Sequence, residues 1–186
     1  MSVISNVQLP GLRSPQAGFE APFDLLSACH ERVQRSLDLL GRLLVHLRDR
    51  GCDDDARSAA HDVFRYFAIA GPAHHVDEEV HVLPLLEASR EPALAAAARQ
   101  IRDDHVQMQL IWQRLGPPLQ ALADPTQAWS PAALEPLQAA AQDFIAIHAR
   151  HVPLEDEIVF PAARARSSPV MQRAMGAEMA ARRRAT

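Results

Sequence analysis

Apolar residues along the chain fall into four stripes that step by three and four, the period of an amphipathic helix. The first stripe runs Phe23, Leu26, His30, Val33, Leu37, Leu40, Leu44 and Leu47, and Gly51 followed by Asp53 to Asp55 ends that helix and caps the next. The second runs Ala60, Val63, Phe67, Ala70, His74, Glu78, His81 and Leu85. Gly71 and Pro72 lie inside it and predict a kink, or a division into two segments. Glu91 and Pro92 open the third stripe, Leu94, Ala98, Ile101, His105, Met108, Trp112, Leu115, Leu119 and Leu122, with a bend or break expected at Gly116-Pro117-Pro118. The fourth follows Ser130 as a cap and Pro131 at the first helical position: Leu134, Leu137, Ala141, Phe144, His148, His151, Glu155 and Ile158. Pro136 and Pro153 fall within it, so this helix either starts later than Ser130 or bends.

Four amphipathic helices with short connections predict an all-α, up-down-up-down four-helix bundle over residues 23–163. Residues 1–22, broken by Pro10, Gly11, Pro15, Gly18 and Pro22, form an N-terminal arm. It is either disordered or pinned to the bundle by Phe19 and Phe23. Residues 164–186 are alanine- and arginine-rich, end in Arg182-Arg183-Arg184, and predict a frayed helix or solvated tail.

Composition agrees with this picture and narrows the function. A single tyrosine, seven glycines and long alanine and leucine runs favour helix over sheet. At 186 residues the chain suits one domain with a real core. The net charge of −4 offers no basic field for nucleic acid. No charged-then-apolar leader opens the chain, and no apolar run reaches the ~18 residues of a membrane span. Cys29 and Cys52 are too few for a disulfide framework, which points to a reducing cytoplasm. Oligomeric state is not encoded in any of these features.

The polar members of the stripes carry the chemistry. His74 to Pro84 and His151 to Pro161 are one unit used twice: His-x-x-x-Glu, then an apolar residue and a proline five and six positions after the glutamate. Positions i and i+4 share a helix face, so each unit presents an imidazole and a carboxylate to one point. His30 and His74 are each 22 residues from Cys52 in the first turn, and His105 and His151 are each 23 from Ala128 in the third connection. Antiparallel hairpins therefore bring all four histidines to similar heights. His30, His74, Glu78, His105, His151 and Glu155 are expected to converge in the core as metal ligands. Without a cation, so many buried polar groups would cost several kcal/mol each on the rough scale for unpaired groups, which weighs against a metal-free interaction bundle. Imidazole and carboxylate without thiolate suit iron or manganese. Four histidines and two carboxylates divide between two ions, with both glutamates bridging and open coordination left over.

Cys29-His30-Glu31-Arg32-Val33, the two His-x-x-x-Glu units with their trailing Leu83-Pro84 and Phe160-Pro161, and Asp104-His105 together resemble the hemerythrin-like, or HHE cation-binding, domain. The resemblance spans roughly residues 23–163. It implies a four-helix bundle around a non-haem di-iron centre with an oxo or hydroxo bridge, manganese being the alternative metal. It also implies a small diatomic partner, O2 or NO, in sensing or stress response; the other role it implies is redox enzyme-like iron repair, storage or delivery. Oxygen-carrying members have a second histidine one turn after the third-helix ligand, where this chain has Gln109, so the four-histidine branch fits better than O2 transport. The first unit lacks the aromatic residue usual before its proline.

Two further choices are set by position. His81 and His148 lie on the core stripe one turn from a ligand, where they could back a carboxylate or line an access path. His75, Asp77, Glu79 and Asp156 neighbour ligands but point off the stripe, toward solvent or the outer side of the site. His46 and His61 are expected at the surface, and Cys29 as an inert buried thiol. Oxygen carriers place an aspartate five residues after the fourth-helix histidine, as Asp156 stands here. Helix geometry and the parallel with Glu78 favour Glu155 as the bridging carboxylate, while Pro153 could re-aim the turn.

Overall fold

A computed structural model of the protein describes residues 18–185, so most of the N-terminal arm lies outside the described residues. Among them all regular structure is helical: α1 Pro22–Arg50, α2 Asp54–His81, α3 Leu83–Glu87, α4 Pro92–Ala123, α5 Leu134–Leu154, α6 Phe160–Arg166 and α7 Pro169–Ala185. The long helices α1, α2, α4 and α5 pack in a bundle, α1 against α2 and α5, and α4 against α2 and α5. None of these helices is long and apolar enough to cross a membrane.

The turns are built as their residues dictate. Gly51 takes φ +79, a left-handed conformation that glycine adopts without a Cβ penalty, and its N–H reaches the Leu47 carbonyl. The Asp53 carboxylate accepts from Ala56 N–H at 2.9 Å and starts α2. From the same turn of α2, Arg57 donates to the carbonyls of Leu122 and Asp124 at 2.9 and 2.7 Å, satisfying acceptors left open at the end of α4.

Two expected proline breaks do not occur, and one expected late start does. The α2 helix runs unbroken through Pro72, which sits on its exposed side. The α4 helix likewise continues through Pro117 and Pro118. There Gly116 is packed under Trp112, whose ring a Cβ would meet at 3.0 Å, so this glycine serves close packing and not a break. The fourth helix does start late: Pro131–Ala133 form a 3-10 turn, Ser130 makes no side-chain cap, and the α-helix begins at Leu134. Two residues past Pro153 it passes into a π-helical turn, Glu155–Val159, before resuming as α6.

That wider turn shifts the core pattern by one residue. Ile158, expected inside, is 45% exposed, and Val159 is fully buried in its place. The first unit slips in the same sense where α2 gives way to α3, with Leu86 buried and Leu85 only partly so.

Two apolar clusters result. One holds Leu37, Leu40, Phe67, Met108, Leu115 and Phe144 with their neighbours. The other joins Phe23, Leu26, Leu83, Ile101, Phe160 and Met179. The polar core residues lie between them. The C-terminal segment is not a solvated tail: in α7, Met175 and Met179 are buried in the second cluster. Gly176 lets this helix close on the chain at Phe19, whose carbonyl oxygen would lie 1.7 Å from an added Cβ. Phe19 also faces the Arg183 guanidinium at 5.7 Å.

Candidate metal centre

Each long helix delivers its polar residues to the level between the clusters. His30, His74, His105, His151, Glu78 and Glu155 are all buried there, the two carboxylates completely. The Nε2 atoms of the four imidazoles face the carboxylates. Glu78 Oε1 is 3.0 Å from His74 Nε2, and its Oε2 is 3.3 Å from His105 Nε2. Glu155 Oε1 is 3.1 Å from His151 Nε2, and its Oε2 is 3.1 Å from His30 Nε2. Each carboxylate thus gives one oxygen to the α1/α2 pair of histidines and the other to the α4/α5 pair. Two ligand groups follow, one of His30, His74, Glu78 and Glu155, the other of Glu78, His105, His151 and Glu155.

Two of the outward nitrogens are anchored by hydrogen bonds. His30 Nδ1 lies 2.9 Å from Asp156 Oδ2, and His105 Nδ1 lies 2.8 Å from Glu79 Oε1. His151 Nδ1 faces Asp104 Oδ2 at 3.5 Å. Asp104 is itself fixed by Gln100 at 2.9 Å and Arg150 at 2.5 Å. A carboxylate behind an imidazole fixes its orientation and tautomer and raises its basicity toward a cation. Asp156 is therefore placed behind His30 and not among the inward-facing oxygens. Glu79 and Asp156 occupy the outer side expected of them.

Cation chemistry fits these residues. Both oxygens of Glu78 and of Glu155, and Nε2 of His105 and His151, are buried without a hydrogen-bond partner. Leaving such atoms bare costs roughly 1–3 kcal/mol each, more when charged. The electrostatics agree. Burial opposes charge on His30, yet Asp156 and Glu155 outweigh it and lift its pKa to about 9. Burial likewise opposes charge on His74 and His105, and Glu78 leads the groups that raise both. Glu78 is held well below its usual value, burial being overcome first by His74 and then by His105. The buried carboxylates draw positive charge into this layer, which a bound metal ion would supply.

Four residues take places that the periodicity did not indicate. His75 turns toward α4, stacking on His105 with ring centroids 4.0 Å apart and planes 11° from parallel. Asp77 is fully buried on the other side of α2, gripped by Arg182 at 3.0 Å and Arg183 at 2.5 Å. His81 pairs with Glu178 of α7 at 2.6 Å and has no part in the centre. Cys29 is only partly buried; burial raises its thiol pKa, but the neighbouring His74, Arg32 and Arg183 bring the net value below normal. His148 fulfils the access-path expectation: it is buried, donates Nδ1–H to the Phe144 carbonyl at 2.7 Å, and lines a cavity. Burial, aided by neighbouring imidazoles, lowers its pKa to about 4, so it is neutral. His61 is exposed, while His46 is partly covered beside Asp53.

The cavity has a volume of about 480 Å³. Its inner end touches His30, His74, His151 and Glu155, and its walls include Phe67, Trp112 and Phe144. This cavity, with Glu79, Arg102 and Gln109 also in its lining, adjoins the centre.

Residues 21–163 match the hemerythrin HHE cation binding domain, and the chain belongs to that family. A protein of Haemophilus influenzae, described as an uncharacterized protein, is similar to it: 27% identical over 168 residues, spanning 90% of this chain and 92% of its relative. The buried histidine and glutamate clusters of this cation-binding domain point to a two-metal site.

Proposed function

We propose that the chain is a non-haem di-iron protein that binds O2, NO or a related small molecule in sensing or stress response. His30 and His74 would hold one iron, His105 and His151 the other, with Glu78 and Glu155 shared between them. The observation that carries this reading is the division of each glutamate's oxygens between the two histidine pairs, beside an apolar cavity. Iron is preferred over zinc because the ligand atoms are imidazole nitrogens and carboxylate oxygens, with no thiolate among them.

The protein's own residues do the rest. Asp156 and Glu79 hold the imidazoles of His30 and His105 in orientation from behind, and the Asp104 carboxylate faces His151 at 3.5 Å. Phe67, Trp112 and Phe144 give the cavity apolar walls, which favour small neutral ligands over hydrated ions. His148 is neutral, and with Nδ1 committed to the Phe144 carbonyl its Nε2 is left as an acceptor at the cavity wall. Bound iron supplies open coordination positions and reversible one-electron change.

The test is metal analysis of purified protein followed by absorption spectra before and after O2 or NO. Two irons per chain and a reversible ligand-dependent band support the reading. Turnover of peroxide, or release of iron to an acceptor, moves the function to iron repair, storage or delivery. One zinc per chain would sink the di-iron assignment.

A further inference from the structure

The cavity beside the centre is larger than a diatomic ligand requires, with a volume of about 480 Å³. One water takes a share of about 30 Å³ in the liquid, and a diatomic is of the same order, whereas an apolar cavity of about 150 Å³ already takes up benzene. Space on this scale suits an organic ligand. Such sites run from about 300 to 1,000 Å³ and are mostly apolar, with a few polar groups that fix orientation.

The walls indicate which kind. Phe67, Trp112 and Phe144 meet as one cluster of rings, with centroids 4.9 to 5.9 Å apart. His148 joins it, 4.5 Å from Phe144 and 5.7 Å from Phe67. Val76 and Val106, 41% and 51% exposed, also line the cavity and make its outer part apolar. The charged lining groups away from the metal layer are paired: Glu79 with His105 and Arg102, and Arg102 also with Glu87. Among the described residues, that part of the lining keeps no unpaired charge for an ionic ligand.

One buried polar atom lacks a partner. His148 is 5% exposed, and its Nδ1 lies 2.7 Å from the Phe144 carbonyl, which can only accept, so the hydrogen is on Nδ1. Nε2, on the other side of the ring, therefore carries a lone pair, and no group among the described residues donates to it. The pKa of about 4 keeps the ring in this form. Because His148 lines the cavity, a donor on a ligand can meet this nitrogen.

We infer that the cavity binds an uncharged aromatic molecule of one or two rings with a single hydrogen-bond donor, of the indole or phenol type, held among Phe67, Trp112 and Phe144 and donating to His148 Nε2. This goes beyond the diatomic ligand proposed above and does not depend on which ion fills the centre. Seated there, the molecule adjoins the metal layer, since His30, His74 and His151 line the same cavity.

The test is calorimetric titration of the iron-loaded, full-length protein with indole and with benzofuran, which has the same shape with oxygen in place of N–H. One indole per chain, saturating in or below the millimolar range, is expected. His148→Phe keeps a ring in the wall and removes the acceptor. It should lower the preference for indole over benzofuran about tenfold, the worth of one buried hydrogen bond. A crystal structure of the wild type with indole is the second measurement and decides the matter if the variant does not fold. It should show the ring among Phe67, Trp112 and Phe144 with N–H on His148 Nε2. No saturable binding of indole, an unchanged preference in folded His148→Phe, or indole seated outside the cavity would overturn the inference.

Discussion

The halves of the centre face inward alike and are backed differently. Both present two Nε2 atoms and share the same pair of carboxylates. Behind the α4/α5 half stand two acidic groups, Glu79 against His105 and Asp104 against His151. Behind the α1/α2 half stand one, Asp156, and the thiol of Cys29 beside His74. The inner ligand set makes a pair of sites, and the outer residues decide that they are not the same site. Anionic backing would make the His105 and His151 position the better host for the more highly charged of two bound ions.

The largest effect comes from the residues the halves share. Glu78→Gln and Glu155→Gln should each lower iron content at both positions, whereas His30→Ala and His105→Ala should each empty chiefly one, as read by metal analysis and spectra. Next is the anchor peculiar to the first unit. Asp77 is buried under Arg182 and Arg183, while its counterpart in the second unit is Leu154. Removing both arginines strands a buried charge, and a loss of about 3–5 kcal/mol in denaturant unfolding is expected. Adding Asp77→Leu to that variant, which copies the second unit, should restore part of the loss.

His148 gives a pH signature on the cavity side. Its folded pKa of about 4 lies below the ordinary 6.5, so below pH 6.5 the unfolded chain takes up a proton that the folded chain refuses until about 4. Stability should be fully present above pH 6.5 and decline toward pH 4, by up to about 3 kcal/mol from this group. His148→Phe should flatten that part of the pH profile of unfolding. The smallest effects test the outer carboxylates. Asp156→Asn and Glu79→Gln should each weaken iron binding about 10- to 100-fold at the position of its own histidine, with both ions still bound at saturating iron. Equal loss at both positions from either variant would contradict the comparison.

The bundle and the convergence of the inward-facing histidines and glutamates were legible because a repeat of three and four placed each histidine in an apolar slot, and because turn midpoints at Cys52 and Ala128 matched their heights. The inward placing of Glu155, with Asp156 outside, was also legible, since i+4 lies under His151 while i+5 turns outward to His30. What failed depended on contacts between helices. His75 lies off the stripe of α2, yet the crossing of α4 puts His105 against it. Ile158 and Val159 exchange places because the π turn adds a residue that no regular period contains. The packing of α7 was hidden by its arginines; Met175 and Met179 at i and i+4, with Gly176 between, were the signal that could have shown it. Pro72, Pro117 and Pro118 did not break their helices because neighbouring packing holds the backbone where propensity alone would release it.

The central claim, two irons bridged by Glu78 and Glu155, is tested most directly by iron content together with the magnetic behaviour of the diferric protein. Two irons per chain, coupled so strongly that the low-temperature electron paramagnetic resonance spectrum is silent, is the predicted result. Two irons giving the full signal of isolated ferric ions, a single ion, or no metal at all would contradict it.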